Sequence, residues 1–351
     1  MTRTLLSLAL ACTVSVIALP VMADSTAKTS SASKSAPAGA TAQSRDKALL
    51  AFQHDLVSVL APRADALPLL AAALIARPLN DLPKFNNFHG LLERAAQADG
   101  AAPIANAINW TRLADCNANA CPNTAALEQL TSQAPDNAAV WLLKLDEDTR
   151  NAKQDAARDD LAKAANAKLY DDYAGTSLKA LAGSIGVLPP AADTFSGDNA
   201  GGAAGVQAVL VYGLASAQPQ PVLSVTAKLC SDAASNASIK TDCLKLGKIL
   251  EWGSSPLGRS LGLHLREVLA DDPAQQADAK QARLSLVWQV QNFSQLLGRA
   301  QTDAAIAQHL VSIARHGGTE MSVLLTALRD NNIPTEAPAD WTPQGPAPAQ
   351  G

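Results

Sequence analysis

Residues 135–167, PDNAAVWLLKLDEDTRNAKQDAARDDLAKAANA, decide how the chain is read. Ala138, Trp141, Leu142 and Leu145 recur at helical spacing and make one apolar stripe. Asp136 or Asn137, just ahead of it, can accept a hydrogen bond from a free backbone N–H of the first turn. The polar run 146–154 reads as a turn. Ala157, Leu161, Ala164 and Ala165 then supply the stripe of a returning helix, with side chains small enough for close approach. Asp146–Arg150 and Asp159–Lys163 stand four apart and are expected on solvent-facing sides, contributing about 0.2–0.5 kcal/mol each. The stretch therefore predicts two antiparallel helices.

The same style extends in both directions. Leu49, Phe52, Leu56 and Leu60 form a stripe, residues 67–75 are apolar almost all round, and Phe88, Leu91, Leu92 and Ala95 form another stripe. Downstream, Pro273 opens a long helical pattern with Leu284, Val287, Trp288, Gln291 and Leu296 as its expected core face. Prolines punctuate the segments, and no run alternates β-branched with polar residues. Hydrophobic residues make up 48% of the chain but aromatic residues only 4%, a bias toward alanine and leucine that favours helix. The predicted class is all-α: antiparallel helix pairs stacked as an α-solenoid, or packed as two helical bundles.

Trp141, Ala157, Leu161 and Ala164 also stand at the offsets of a known repeat, with Pro135 where a preceding repeat would close. The stretch resembles one tetratricopeptide-type repeat. It departs from that pattern at Leu145 and Asp148, where glycine and tyrosine are usual. The resemblance implies a superhelix of helix pairs whose concave groove holds a polypeptide.

The N-terminus reads as an export signal. Arg3 is followed by an apolar run over residues 5–18, and Val21-Met22-Ala23 suits cleavage between Ala23 and Asp24. Arg3 is the one charge in residues 1–23, so cleavage takes the formal charge from −4 to −5. No basic stripe points to nucleic acid or to an anionic membrane surface. Outside the signal, no run reaches the roughly 20 apolar residues of a spanning helix. Four cysteines remain after cleavage, Cys116, Cys121, Cys230 and Cys243, and an even count in an exported chain reads as disulfides. Of three connectivities, Cys116–Cys121 and Cys230–Cys243 are expected, because each pair lies in one short inter-helix loop. The chain-entropy relation gives about 2 and 3 kcal/mol for loops of these sizes. A zinc site is the competitor, and no histidine lies near in sequence.

Residues 24–44 read as a flexible linker, 45–190 as an N-terminal helical-repeat region, and 191–205 as a Gly/Ala-rich hinge. Residues 206–332 follow as a C-terminal helical region and 333–351 as a proline-rich tail. Trp341 in that tail is expected to dock on the last helices, over Leu325 or Leu328.

Candidate chemistry is sparse. His89 and Glu93 share a helix face and suit a metal or an acid–base pair, or simply a surface hydrogen bond. Gly197, Gly201, Gly202 and Gly205 precede a helix without the strand and Lys-Ser or Lys-Thr of a phosphate loop. Residues 253–256, Gly-Ser-Ser-Pro, read as a helix start with Ser255 as the cap. The acidic clusters at 146–148, 159–160, 171–172 and 271–272 are expected on solvated faces and at caps. No nucleophile, base and orienting group stand out as a set, and neither cofactor nor metal is expected. The expected function is that of an exported, non-enzymatic helical-repeat protein, an interaction or scaffold module of the cell envelope. Its partner would be a polypeptide or another envelope component. The alternatives are an envelope hydrolase using a buried Asp or Glu, and a purely architectural spacer.

Overall fold

Asparagine, aspartate, serine and threonine set most of the helix starts. Asn87, Asn123, Asn137, Asn236, Ser255, Asp272, Asp303 and Thr319 each accept a hydrogen bond from a first-turn backbone N–H. Such a cap is worth about 1 kcal/mol. In the computed structural model, which describes residues 42–116, 121–195, 200–232 and 236–343, there are fifteen α-helices and no strand among the described residues. They are α1 (Ala42–Leu60), α2 (Ala66–Ala76), α3 (Phe88–Gln97), α4 (Ala105–Arg112), α5 (Thr124–Gln133), α6 (Ala138–Arg150), α7 (Gln154–Ala165) and α8 (Ala174–Ser184). There follow α9 (Gly202–Ser216), α10 (Leu223–Ser231), α11 (Ala237–Glu251), α12 (Pro256–Leu269), α13 (Pro273–Ala300), α14 (Ala304–His316) and α15 (Glu320–Asp330). The signal segment and most of the expected linker lie outside the described residues.

The hairpin at 135–167 is α6 and α7, but its turn is only residues 151–153. The expected polar turn is helix up to Arg150, where Lys144 pairs with Glu147 and Asp148 at helical spacing. Two expectations about its acids are corrected. Asp146, Asp148 and Asp160 are buried rather than solvated, and Lys163 pairs with Asp160, at 3.0 Å, rather than with Asp159. The reason is tertiary. Asp146 faces the loop after α9 and accepts from the Val222 N–H, and Asp148 and Asp160 face each other across the hairpin.

Within residues 39–351, which form one compact unit, the buried apolar side chains fall into two clusters. The first is mainly aliphatic and draws on α1–α3, α8, α9 and α13–α15, with Ile108 of α4 and Leu263 of α12. The second draws on α4–α7 and α10–α12 and holds Trp110, Tyr170, Cys230 and Cys243. Each cluster takes residues from both sides of 191–205, so the two halves of the sequence do not make two separate cores. Packing also departs from a nearest-neighbour stack: α2 lies on α8, α7 on α11, and α14 on both α8 and α9. The glycines read as a hinge have a packing role in part. A Cβ on Gly201 would sit 2.3 Å from the Gln301 carbonyl oxygen, so the start of α9 abuts the end of α13 only because that side chain is missing. On α13 the buried residues are Ala279, Leu286, Leu296 and Ala300. The expected Leu284, Val287 and Trp288 are half-buried, because the helix meets neighbours on more than one side.

Cys116 lies beside Cys121 and Cys230 beside Cys243, each pair at disulfide distance. The second pair is buried and ties α10 to α11. No helix among the described residues is long and apolar enough to cross a membrane.

Candidate functional site: a groove beside Trp252

The turn between α11 and α12 has an inner and an outer side. Inward, the Ser254 hydroxyl donates to Asp172 Oδ1 at 3.1 Å and accepts from the Asp172 N–H at 3.2 Å. The Ser254 N–H donates to the Tyr170 carbonyl at 3.0 Å, and the Ser254 carbonyl accepts from the Met321 N–H at 2.9 Å. One buried serine thus joins three segments: the loop before α8, the α11–α12 turn and the start of α15. Asp172 Oδ1 also accepts from the Ala174 N–H, which fixes the first turn of α8. A Cβ on Gly175 would lie 1.9 Å from the Gly318 carbonyl oxygen, so α8 and the α14–α15 turn touch backbone to backbone here.

Burial dominates the electrostatics of this node. It pushes the Glu320 carboxyl up to about 7, with the charge of Asp172 adding to the rise. Burial likewise raises the Asp171 carboxyl and the Tyr170 phenol. Ser254 and Asp172 are buried, and the hydroxyl makes its hydrogen bonds inside the node. This is the chemistry of a brace. The carboxylate beside the hydroxyl, Asp172, is buried with it and also holds the first turn of α8.

Outward, the same turn presents Trp252, which ends α11 and is 79% exposed, the highest value among the large apolar side chains of the described residues. Arg259 on α12 wraps the turn by donating from Nε to the Gly253 carbonyl at 2.9 Å, and burial lowers its guanidinium pKa. Between α12 and α13 an open groove of about 480 Å³ runs past them, lined by Leu263, Ala282 and Leu286 below and by Gln281, Ser285 and Gln289 on α13. A second hollow of about 580 Å³ shares Glu251, Trp252 and Asp278 with it and adds Lys248 and Arg266. Arg266 bridges Glu251, at 2.6 Å, and Asp278. The first hollow sets Arg259 against Glu251, Asp278 and Glu336 and the second sets Lys248 and Arg266 against Glu251 and Asp278, so the two together hold three basic and three acidic side chains.

The far wall of the first hollow is the protein's own tail. After α15 the chain runs without helix along α13. Trp288 Nε1 donates to the Pro334 carbonyl at 2.8 Å, and Gln289 Nε2 donates to the Thr335 carbonyl at 2.7 Å. The Ala337 N–H donates to Ser285 Oγ at 3.3 Å. The Trp341 ring meets Trp288 edge-on, with centroids 5.4 Å apart. Trp341 therefore docks, but on α13 rather than over Leu325 or Leu328. Leu328 is already buried within the first cluster, whereas Trp288 offers an indole face.

The other candidate residues are placed as follows. His89 lies between Glu93, at 3.2 Å, and the buried Asp115, at 2.5 Å, a pairing with Asp115 that sequence spacing does not reveal. Asp146 is pushed up to about 6 by burial, against the Val222 N–H and the charge of Arg150. Burial disfavours the Asp148 charge too, but the hydrogen bond and charge of Lys144 outweigh it, so Asp148 lies below the usual carboxylate range. Burial lifts Asp160 instead. Lys163 opposes the rise, and the hydrogen bond shared with Asp148 adds to it. Among the described residues no three His, Cys, Asp or Glu side chains are grouped to hold a metal ion. The groove residues Trp252, Arg259, Ser285 and Gln289 carry no motif. Their one sequence signal is a tryptophan at a helix end before Gly-Ser-Ser-Pro in an aromatic-poor chain.

Open, with an aromatic platform and amide side chains along one wall, the groove suits a segment of chain better than a small anion. The chain matches no protein-family model, no curated protein and no solved structure.

Proposed function

We propose that the protein is a non-enzymatic interaction module that holds an extended segment of another polypeptide in the groove between α12 and α13, with Trp252 as the aromatic anchor. The observation that carries this reading is the tail. A non-helical stretch of chain, bent at residues 335–336, already lies on α13 through hydrogen bonds from α13 side chains to its main chain, and open groove continues from it to Trp252. An exposed tryptophan set in a rigid turn loses little freedom on binding and offers a large contact area. Groove binding by antiparallel helices is also the use that the tetratricopeptide-like pair suggests. Here that use belongs to α12 and α13 rather than to α6 and α7, and a stacked superhelix remains a proposal.

We also propose export, with cleavage between Ala23 and Asp24. Two cysteine pairs at disulfide distance fit an oxidising compartment. Intact mass of the exported protein should begin at Asp24. A product that retains Met1 would contradict the cleavage.

Selection of short random peptides on the immobilised protein tests the groove. Enriched peptides should bind the wild type and lose affinity for Trp252→Ala. Failure to enrich any peptide, or equal binding to both proteins, would overturn the reading.

A further inference from the structure

We propose that the partner segment is proline-containing and non-helical, and that it docks on the α13 face formed by Ser285, Trp288 and Gln289 by replacing residues 333–341 of the protein's own tail. This rests on the groove being a polypeptide site, and it names the occupant.

The tail shows what that face selects. Residues 285, 288 and 289 share one side of a helix, since they stand three and four apart. Two of them donate to consecutive carbonyls, those of Pro334 and Thr335. A face that supplies donors to main-chain carbonyls favours residues that bring a carbonyl without an N–H of their own, and proline is that residue. Pro334 and Pro338 bracket the contact, and the one N–H used within it, that of Ala337, finds Ser285 Oγ. Proline also restricts the chain before binding, so less conformational freedom is lost on docking. An indole that donates to a prolyl carbonyl while its ring takes an apolar side chain is a recurrent way of reading proline-rich segments. Here Trp288 does both, toward Pro334 and Trp341.

The resident tail is replaceable. Pro334, Thr335, Glu336 and Pro338 are exposed, and Trp341 is only half-buried. The hollow between residues 335–337 and Trp252 is wider than the tail fills. A longer partner segment would keep the tail's contacts on α13 and continue into that space.

The test uses the full chain and a fluorescein-labelled peptide with the sequence of residues 332–343, NIPTEAPADWTP. Trp341→Ala loosens the resident tail. The peptide should bind this variant at least about tenfold more tightly than the wild type, because an intramolecular competitor has been weakened. Adding Trp288→Ala, or Gln289→Ala as a milder second variant, should abolish or weaken that binding while the circular dichroism of the protein stays helical. Replacing Pro334 and Pro338 of the peptide by alanine should weaken binding at least about threefold. Three results would overturn the proposal: no binding to Trp341→Ala, binding that ignores both α13 substitutions, or equal binding of the alanine peptide. The two readings fail separately. Selected peptides that need Trp252 but contain no proline would remove the proline class and leave the groove, whereas failure to select any peptide removes the groove itself.

Discussion

The inner and outer sides of one turn, residues 252–255, differ in every physical respect. Ser254 points into a buried node whose hydrogen bonds run to Asp172, Tyr170 and Met321. Trp252, two residues earlier, stands in solvent over an open groove. The node contains the perturbed acids that usually attract attention as candidate catalysts, yet its polar groups hold three chain segments together. The groove has ordinary, charge-balanced residues and open space. Perturbed acidity alone therefore does not locate function in this molecule. The comparison suggests that the node fixes the turn so that Trp252 and Arg259 are held ready.

If that division is right, changes on the inner side should act on stability and changes on the outer side on binding. The largest effect should come from Gly175→Ala. Its Cβ would meet the Gly318 carbonyl, and neither backbone has a side-chain rotamer with which to yield. We expect a loss of about 3 kcal/mol or more in urea unfolding. Gly298→Ala on α13, where a Cβ meets nothing within 4 Å, should instead stabilise by about 0.5–1 kcal/mol. Equal effects at the two sites would break the comparison.

Next in size are the cysteines. Replacing the buried Cys230–Cys243 pair by serines, which frees α10 from α11, should cost about 3 kcal/mol. The same change at Cys116–Cys121, which closes a shorter loop and whose two cysteines are exposed, should cost about 2 kcal/mol. Denaturation of the two double variants side by side measures both.

The pH dependence has a definite sign. Glu320 is raised from 4.5 to about 7 and Asp146 from 3.8 to about 6, burial being the leading cause in both. Between the lower and upper values the folded state keeps a proton that the unfolded chain has released. These groups therefore destabilise the fold progressively as pH rises through those windows, and their penalty is fully present above them. Asp148, lowered in pKa, acts with the opposite sign at more acidic pH. Glu320→Gln should be more stable than the wild type at pH 8 and should lose less stability between pH 5 and pH 8. A Glu320→Gln protein with an unchanged slope over that range would contradict burial of the charge.

Much of the framework is legible in the sequence, because helix starts and stripes are local. The cap at Asn137, the stripe through Leu142 and Leu145 and the all-helical class follow from spacing alone. What escapes is set by distant neighbours. Asp146, Asp148, Asp160 and Asp172 look like solvated acids until α9's following loop, the facing hairpin helix and the α11–α12 turn cover them. Ser255 is legible as a cap, but its neighbour Ser254 is a brace only because α15 and the loop before α8 arrive there from elsewhere. Trp341 stands out as an isolated tail aromatic, while its partner Trp288 sits within a helical stripe that reads as core. The groove residues are ordinary side chains whose meaning is purely positional.

The smallest effect on the fold should come from the residue with the largest effect on binding. Trp252→Ala, being so exposed, should change stability by no more than about 0.5 kcal/mol. Calorimetric titration of a selected peptide against wild-type and Trp252→Ala protein, each at low and high salt, tests the central claim most directly. The account predicts affinity at least about tenfold weaker for the variant, as for an aromatic anchor. It also predicts little salt dependence in either protein, because the two hollows beside Trp252 together hold as many basic as acidic side chains. Equal affinity for the two proteins, or binding that disappears with added salt, would contradict it.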